Sequence, residues 1–448
     1  MKNCSLKTIA AWCSGQLTGC TGENIFPSEI VIDSRAAQKG SIFAAYRGEN
    51  SDGYDYMQSA FDSGAVCCIS DRFNEEAHGP QLIVSDVQKA LEDISRSYKS
   101  TLAVDSVGIT GSVGKTTAKE MISAVLSQRF NVLKTDKNYN NQIGVPLTVC
   151  RINPLNEKAV IEMGVSHPGD MKLLADIVRP DIMVFTVIGH AHLEFLHDLR
   201  GVFEEKTSVT GYMPDDGIVI INGDDPYLSR ISCRQRVISY GLSEKNDIYA
   251  DDIYYDADGF LNCRINIFGE SFKAKINAFG KHMLYALLIG AAVGKISGLS
   301  NDEICRGFEN YRTVGRRAAV KSTGSFTLID DCYNSNPDSV KNAIDSLNML
   351  KGRHVCVLGD MLELGDESEA LHAEIGTYAM EKGVDILITA GRLSRYTAEA
   401  AGPEGRWYAS TQELINDLKN ILMPGDNILV KASNSSHFDV ISDYILKI

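Results

Sequence analysis

The run TGSVGKTT, from Thr110 to Thr117, follows an apolar stretch of strand length and opens a helical pattern. Glycines at 111 and 114 let backbone N–H groups approach phosphate oxygens, and a helix N-terminus adds favourable partial charge. In that setting Lys115 reaches the β- and γ-phosphates and the Thr116 hydroxyl holds Mg²⁺, with Ser112, Val113 and Thr117 completing the cradle. The plainer alternative is a glycine turn that only ends a strand; GKTT between a strand and a helix favours a nucleotide. The general G-x-x-x-x-G-K-[ST] pattern wants glycine at 109, where Ile109 stands, so the match is the shorter GSVGKT from Gly111 to Thr116. That spacing argues away from GTPases and motors and toward ATP-dependent amide ligases.

Glu162 ends a second predicted strand beside this loop, where a Mg²⁺-binding carboxylate belongs in an open α/β sheet. A capping or salt-bridged glutamate is the competing reading. His190, His192 and His197 crowd one loop, but they lack the H-E-x-x-H register and have no cysteine nearby, which excludes zinc.

These groups must be placed by alternating strands and helices. Residues 1–100 read as a small α/β unit with short apolar pieces at 29–32, 41–45, 65–69 and 81–84. From 103 the alternation lengthens: strand 104–110, helix 115–128, strand 159–163, helix 170–178, strands 181–187 and 217–221. Strands alternating with helices predict a mostly parallel sheet covered on both faces. Residues 247–279 break the rhythm as an antiparallel meander, followed by helices 281–296 and 301–311. Near 313–317 the chain crosses into a third unit, with strands 326–330, 354–358, 385–389 and 427–431 and helices 338–350, 367–382 and 439–446. Three α/β domains are expected, at 1–100, 101–313 and 314–448, the last two resembling a phosphate-loop domain and a Rossmann-like domain.

Composition narrows the partners. With 44 Lys and Arg against 58 Asp and Glu, the net charge is −14, unsuited to gripping nucleic acid or anionic lipid over a broad face. Eleven cysteines with no C-x-x-C pair suit reduced thiols better than a disulfide framework or a zinc site. No signal peptide is legible at the start, and the near-apolar run 283–294 is too short to span a bilayer. A soluble, cytoplasmic chain is the expectation.

Several further motifs carry a family resemblance. They are Asp33-Ser-Arg35, Gly40-Ser-Ile-Phe43, Gly48-Glu49 with Asp52-Gly53, the run NYNNQIGVPLT from Asn138 to Thr148, Glu162-Met-Gly164, and AHLE from Ala191 to Glu194. In the last unit DDCYNSNPD, from Asp330 to Asp338, and LGDMLELG, from Leu358 to Gly365, continue the series. With the phosphate loop, these resemble the Mur ligase family, and within it the MurF branch, which joins D-alanyl-D-alanine to a UDP-N-acetylmuramoyl-tripeptide. The 138–148 and 330–338 stretches favour that branch over the folylpolyglutamate synthases, which share the architecture.

The resemblance implies an ATP- and Mg²⁺-dependent ligase of peptidoglycan precursor synthesis, acting as a monomer through an acyl phosphate. It implies a UDP-substrate domain at 1–100 with Ser34 and Arg35 at the nucleotide sugar. Asn138, Asn140 and Asn141 would contact substrate. His192 would bind a second Mg²⁺, and Lys206 stands where the family carries a lysine carbamylated by CO₂. Carbamylation needs a neutral amine, so the site must depress the lysine pKa, and Glu204 and Glu205 would oppose this if they face it. An ordinary solvated helix lysine remains the alternative. From the third domain Arg316, Asp331, Asn334 and Asn336 would approach ATP, with Arg317 an equal alternative to Arg316 and a surface arginine the plainer reading. Asp331 would accept from ribose hydroxyls, and the two amides would meet the adenine edge.

Some positions depart from the family pattern. Val187 stands for an asparagine, Ser208 for a glutamate, Ala286 for an asparagine, Tyr54 for a histidine, and Ala432-Ser-Asn-Ser-Ser-His437 for a Gly-Ser-Arg-Gly loop. None touches Lys115, Thr116, Glu162, His192 or Lys206. They leave open a ligase with a different amine acceptor, or a nucleotide-binding regulator without catalysis.

Overall fold

A computed structural model describes residues 1, 3–48, 51–256 and 260–448. Its strands form three sheets, the first drawn from residues 16–83, the second from 105–276 and the third from 319–431.

The first sheet has five short strands in the order Gln16–Thr18, Gln81–Ile83, Cys67–Ser70, Ile42–Ala44 and Ile30–Val31. The last four run parallel, and Gln16–Thr18 pairs antiparallel with Gln81–Ile83. That edge strand was not expected, because three residues, QLT, are too few to show an alternating pattern. Of the Gly48-Glu49 motif, Glu49 lies outside the described residues.

The second sheet has nine strands. Running from one edge, Glu270–Ile276, Leu261–Ile267 and Ile248–Tyr255 form the antiparallel meander, which continues the sheet rather than standing apart from it. Arg236–Gly241, Ile218–Asn222, Ile182–Phe185, Asp105–Thr110, Lys158–Glu162 and Val132–Lys134 follow, all parallel. The burial of Leu261–Ile267 alternates residue by residue, as a half-buried strand must, whereas Lys158–Glu162 is buried along nearly its whole length. The nearly all-apolar helix His282–Ile296 packs against the phosphate-loop helix Lys115–Leu126 inside one core. Among the described residues no helix is long and apolar enough to cross a membrane.

The third sheet has six strands in the order Ala319–Ser322, Thr327–Asp330, Asn427–Lys431, His354–Gly359, Ile386–Ala390 and Gly405–Tyr408. Only the first pair is antiparallel. The last strand to be made, Asn427–Lys431, inserts in the middle, so the loops after Asp330, Gly359 and Lys431 gather at one switch point, the usual ligand edge of such sheets.

The units are joined by shared cores. The helix Gly144–Cys150 of the second unit buries Leu147 and Cys150 in the apolar cluster of the first. A larger cluster runs from Val104 and Met183 through Val340 and Leu358 of the third. Tyr98 adds a hydrogen bond to the Ile152 carbonyl at 2.6 Å.

Candidate functional site

The strand Asp105–Thr110 delivers the chain into the phosphate loop, and two glycines turn it. Gly111 has φ +144° and Gly114 φ +86°, both in the region that disfavours side chains. A Cβ on Gly111 would lie 1.9 Å from Thr186 Oγ1. The first N–H groups of the helix Lys115–Leu126 have no acceptor within the helix and no side-chain cap, which leaves them available to an anion. Lys115 curls back over the loop, its Nζ 2.7 Å from the Gly111 carbonyl. Burial pulls its ammonium below its ordinary pKa; Glu162 pushes the other way and Arg317 adds to the depression.

Glu162 is the hub beside it. Its Oε2 accepts from Thr116 Oγ1 at 3.0 Å and its Oε1 from Asn140 Nδ2 at 2.8 Å. Its backbone N–H is held by Thr135 Oγ1 at 3.0 Å. Lys119, 1% exposed, stands behind, 4.0 Å from Glu162, 3.2 Å from Glu120 and bonded to the Thr135 carbonyl at 2.8 Å. Sequence reasoning missed Lys119, although three residues beyond Thr116 on a helix is the same face. The asparagine motif thus touches the site through Asn140. Asn141 instead steadies the next helix, its Oδ1 accepting from the Gly144 N–H at 2.9 Å, and Asn138 is exposed on the preceding turn.

Lys206 lies on the helix Leu199–Thr207 and is 0% exposed, with no hydrogen-bond partner for its Nζ. Burial first, then the Lys115 charge, holds its pKa well below the ordinary lysine value. The expected opposition comes from Glu205, and Asp170 joins it, but burial and the Lys115 charge outweigh both. Glu205 accepts from the Gly169 and Met171 N–H groups at 2.9 and 2.7 Å, and Glu204 pairs with Arg200 at 2.7 Å. The solvated-lysine alternative does not describe this residue.

The histidine loop meets the third unit. His192, at φ +59°, places Nδ1 2.5 Å from Glu363 Oε2, and the Glu194 N–H donates to the Glu363 carbonyl at 3.2 Å. His190 meets Asp338, which raises the imidazole pKa through their hydrogen bond. His197 and Glu367 help line a cleft of about 270 Å³ at this junction.

In the third unit Asp331 accepts from the buried Lys431 Nζ at 2.7 Å and from the Ala318 N–H at 3.0 Å. Lys431 also donates to the Asn334 carbonyl at 2.8 Å, so one cation shapes this loop. Two expectations change here. Asn336 is 7% exposed and its Oδ1 accepts from the Ser339 N–H at 2.8 Å, so its side chain caps the helix Pro337–Leu347 rather than reaching for a base. Arg316 is paired with Asp330 at 3.0 Å and Asp443 at 2.7 Å, which turns it toward the closing helix of the chain; Arg317, stacked on Tyr333 at 3.8 Å, is the guanidinium felt at Lys115.

In the first unit Ser34 is buried in a turn capped by Asp33, while Arg35 extends into solvent and pairs with Asp33 at 2.8 Å. Tyr54, in the histidine position, lies under the Arg72 guanidinium at 4.0 Å and donates to the Phe73 carbonyl at 3.2 Å.

A phosphate loop beside a buried carboxylate, with a third unit docked on the adjoining histidine loop, is an arrangement suited to ATP-dependent ligation. Three models match in succession: "Mur ligase family, catalytic domain" over residues 28–99, "Mur ligase middle domain" over 109–294 and "Mur ligase, glutamate ligase domain" over 315–434. The chain belongs to the Mur ligase family. The UDP-N-acetylmuramoyl-tripeptide–D-alanyl-D-alanine ligase of Bacillus subtilis is 32% identical, covering 98% of this chain and 98% of its own. The enzyme of that name from Escherichia coli is 32% identical, covering 97% of each. A crystal structure of MurF from Acinetobacter baumannii superposes with a TM-score of 0.92 at 25% identity over 99% of both chains. MurF ligase from Thermotoga maritima, in complex with ADP, gives 0.83 at 25% identity over 95% of this chain and 98% of its own.

Proposed function

We propose that this protein is an ATP-dependent peptide ligase that adds D-alanyl-D-alanine to UDP-N-acetylmuramoyl-tripeptide in peptidoglycan precursor synthesis. The observation that carries the reading is the cluster of Lys115, Thr116, Glu162 and Asn140 at the mouth of the phosphate loop, in a chain that matches such ligases end to end.

Joining a carboxylate to an amine needs a leaving group, which ATP supplies as an acyl phosphate. Phosphoryl transfer between anions depends on positioning and on charge held ready in a dry site. The phosphate-loop N–H groups and Lys115 hold the β- and γ-phosphates, and Asn140 aligns the carboxylate side with Glu162. The Thr116 hydroxyl and the Glu162 carboxylate are hard oxygen donors that fit Mg²⁺. Mg²⁺ takes one or two protein oxygens and completes its shell with waters and substrate phosphates, which suits a site offering these two donors. Bound there, the metal would neutralise charge developing on the transferred phosphoryl group.

His192 and Lys206 form the second part of the centre. The Glu363 contact leaves Nε2 of His192 free for a cation, and a carbamate on Lys206 would add oxygen donors. Burial and the neighbouring Lys115 charge favour the neutral form of the unpartnered Lys206 amine, the form that reaction with CO₂ requires. Asp331, Asn334 and Arg317 are the third unit's candidates for nucleotide contacts. Ser34 and Arg35 remain the candidates at the sugar nucleotide, on the first unit, and Asn138 and Asn141 on the substrate side of the asparagine turn.

The test is product mass. Purified protein given ATP, Mg²⁺, a UDP-N-acetylmuramoyl-tripeptide and D-alanyl-D-alanine yields the corresponding pentapeptide. With active protein, and with both diaminopimelate and lysine stems supplied, absence of that product overturns the reading and directs attention to other amines.

A further inference from the structure

Asp338 stands in the first turn of the helix Pro337–Leu347, in the third unit, yet its carboxylate contacts the second. Its Oδ2 accepts from the His190 backbone N–H at 2.6 Å and lies 3.1 Å from His190 Nδ1. The approach is close enough to require glycine next door: a Cβ on Gly189 would lie 2.4 Å from that oxygen. On its other side Gly189 is fastened to the phosphate loop. Its N–H donates to Ser112 Oγ at 2.9 Å, and the Ser112 hydroxyl donates to the Gly189 carbonyl at 2.9 Å. Two backbone bonds run alongside, from the Ser112 N–H to the Val187 carbonyl at 2.8 Å and from the Thr186 N–H to the Thr110 carbonyl at 3.0 Å.

We infer that Asp338 is a positioning residue for the phosphate loop: docking of the third unit onto Gly189–His190 sets the path of residues 186–190 and, through Ser112, the backbone that cradles the nucleotide phosphates. The inference rests on the phosphate-binding reading given above. A carboxylate on a backbone N–H is a charge-assisted bond, roughly twice as strong as a neutral one, and here it ends on a segment joined to the loop by six hydrogen bonds. Asp338 touches none of the groups assigned to the phosphates or to Mg²⁺. Its effect therefore passes through the loop. A carboxylate in a first helical turn also favours its own helix, and that local role predicts no change at residues 110–116.

The two roles separate in the full-length protein through Asp338→Ala, Asp338→Asn and Gly189→Ala, the last leaving the carboxylate in place but filling its seat. Two readouts are taken: KM for ATP and for the UDP-linked substrate, and amide hydrogen exchange at residues 110–116 without nucleotide. Asp338→Ala is expected to raise KM for ATP about tenfold or more, the loss of one hydrogen bond to a charged group, with the other KM unchanged. Exchange at 110–116 quickens in step. Asp338→Asn, which keeps an acceptor, falls between, and Gly189→Ala reproduces Asp338→Ala. A folded Asp338→Ala protein with wild-type KM for ATP and wild-type exchange overturns the inference. Should that variant not fold, wild-type values in the other two overturn it. The exchange measurement needs no nucleotide, so it judges the coupling even if the wild-type protein proves not to use ATP.

Discussion

The Thr116 hydroxyl lies 3.0 Å from Glu162 Oε2, tying the first turn of the phosphate-loop helix to the end of the neighbouring strand. The two residues are far apart in sequence but belong to adjacent parallel strands and their crossover, so the sheet itself brings them together. Asn140 holds the other carboxylate oxygen and Lys119 stands behind, so the Glu162 side chain is fixed beside the loop.

Glu162→Gln preserves these bonds in outline and removes the charge. It is expected to lower kcat about a hundred- to a thousandfold, the usual loss when one electrostatic element of a transition state is deleted. ADP release under saturating substrates, with circular dichroism to confirm the fold, checks this. A kcat within threefold of wild type would remove Glu162 from the catalytic centre.

Gly111 makes a second, steric prediction. Alanine there would meet Thr186 Oγ1 at 1.9 Å and adopt φ +144°, so the loop must move. Strain of about 1–3 kcal/mol is expected, concentrated in the loop. Calorimetry should show ATP binding weakened at least tenfold while the melting temperature falls only slightly.

For Lys206, exposure to carbon-13 bicarbonate is expected to produce a carbamate resonance, absent in Lys206→Ala and Lys206→Arg. Because the depressed pKa favours the neutral amine, the resonance should form at lower pH than for an ordinary lysine and fade as acid protonates it. Both variants should lose ligase activity. Full activity in protein stripped of CO₂ would contradict the assignment.

Much of this was legible before the structure. The helix expected at 170–178 and the strand expected at 427–431 appear with those limits, because a full apolar period or a continuous buried run marks them. The strand-to-helix turn at 110–117 was legible because glycines and a lysine stand there at a fixed spacing, and Gly111 and Gly114 take the positive φ it needs. What depends on packing was not. Nothing in the helix Leu199–Thr207 announces that Lys206 is fully buried while Glu204 pairs with Arg200 at the surface. Asn336 looked like a ligand-binding amide, but Pro337 and Ser339 behind it make a helix cap, a signal that was present and outweighed by the resemblance. Arg316 and Arg317 are adjacent, and only the position of Asp330 and Asp443 decides which is turned aside.

Asp330 is itself a stability prediction. It is 0% exposed, and although burial raises its pKa, bonds from Lys321 and Cys332 and the charges of Lys321 and Arg316 carry it below the ordinary carboxylate value. A depressed folded-state pKa contributes stability that is present above the unfolded value and lost as pH falls through the folded one. Asp330→Asn should therefore destabilise the protein at neutral pH by about 3 kcal/mol, the scale for breaking a buried pair. The difference from wild type should shrink once the pH drops below about 4, where unfolded aspartate protonates. Denaturant titrations at several pH values would show it, and a gap that stayed constant into acid would count against the ion-pair explanation.

The most direct test of the central claim is ADP release by the wild-type protein with ATP, Mg²⁺ and a UDP-N-acetylmuramoyl-tripeptide, measured with and without D-alanyl-D-alanine. Sustained release that depends on the dipeptide is the predicted result. Equal release with and without it, or none in either case with both stem types, would contradict the ligase assigned to this site.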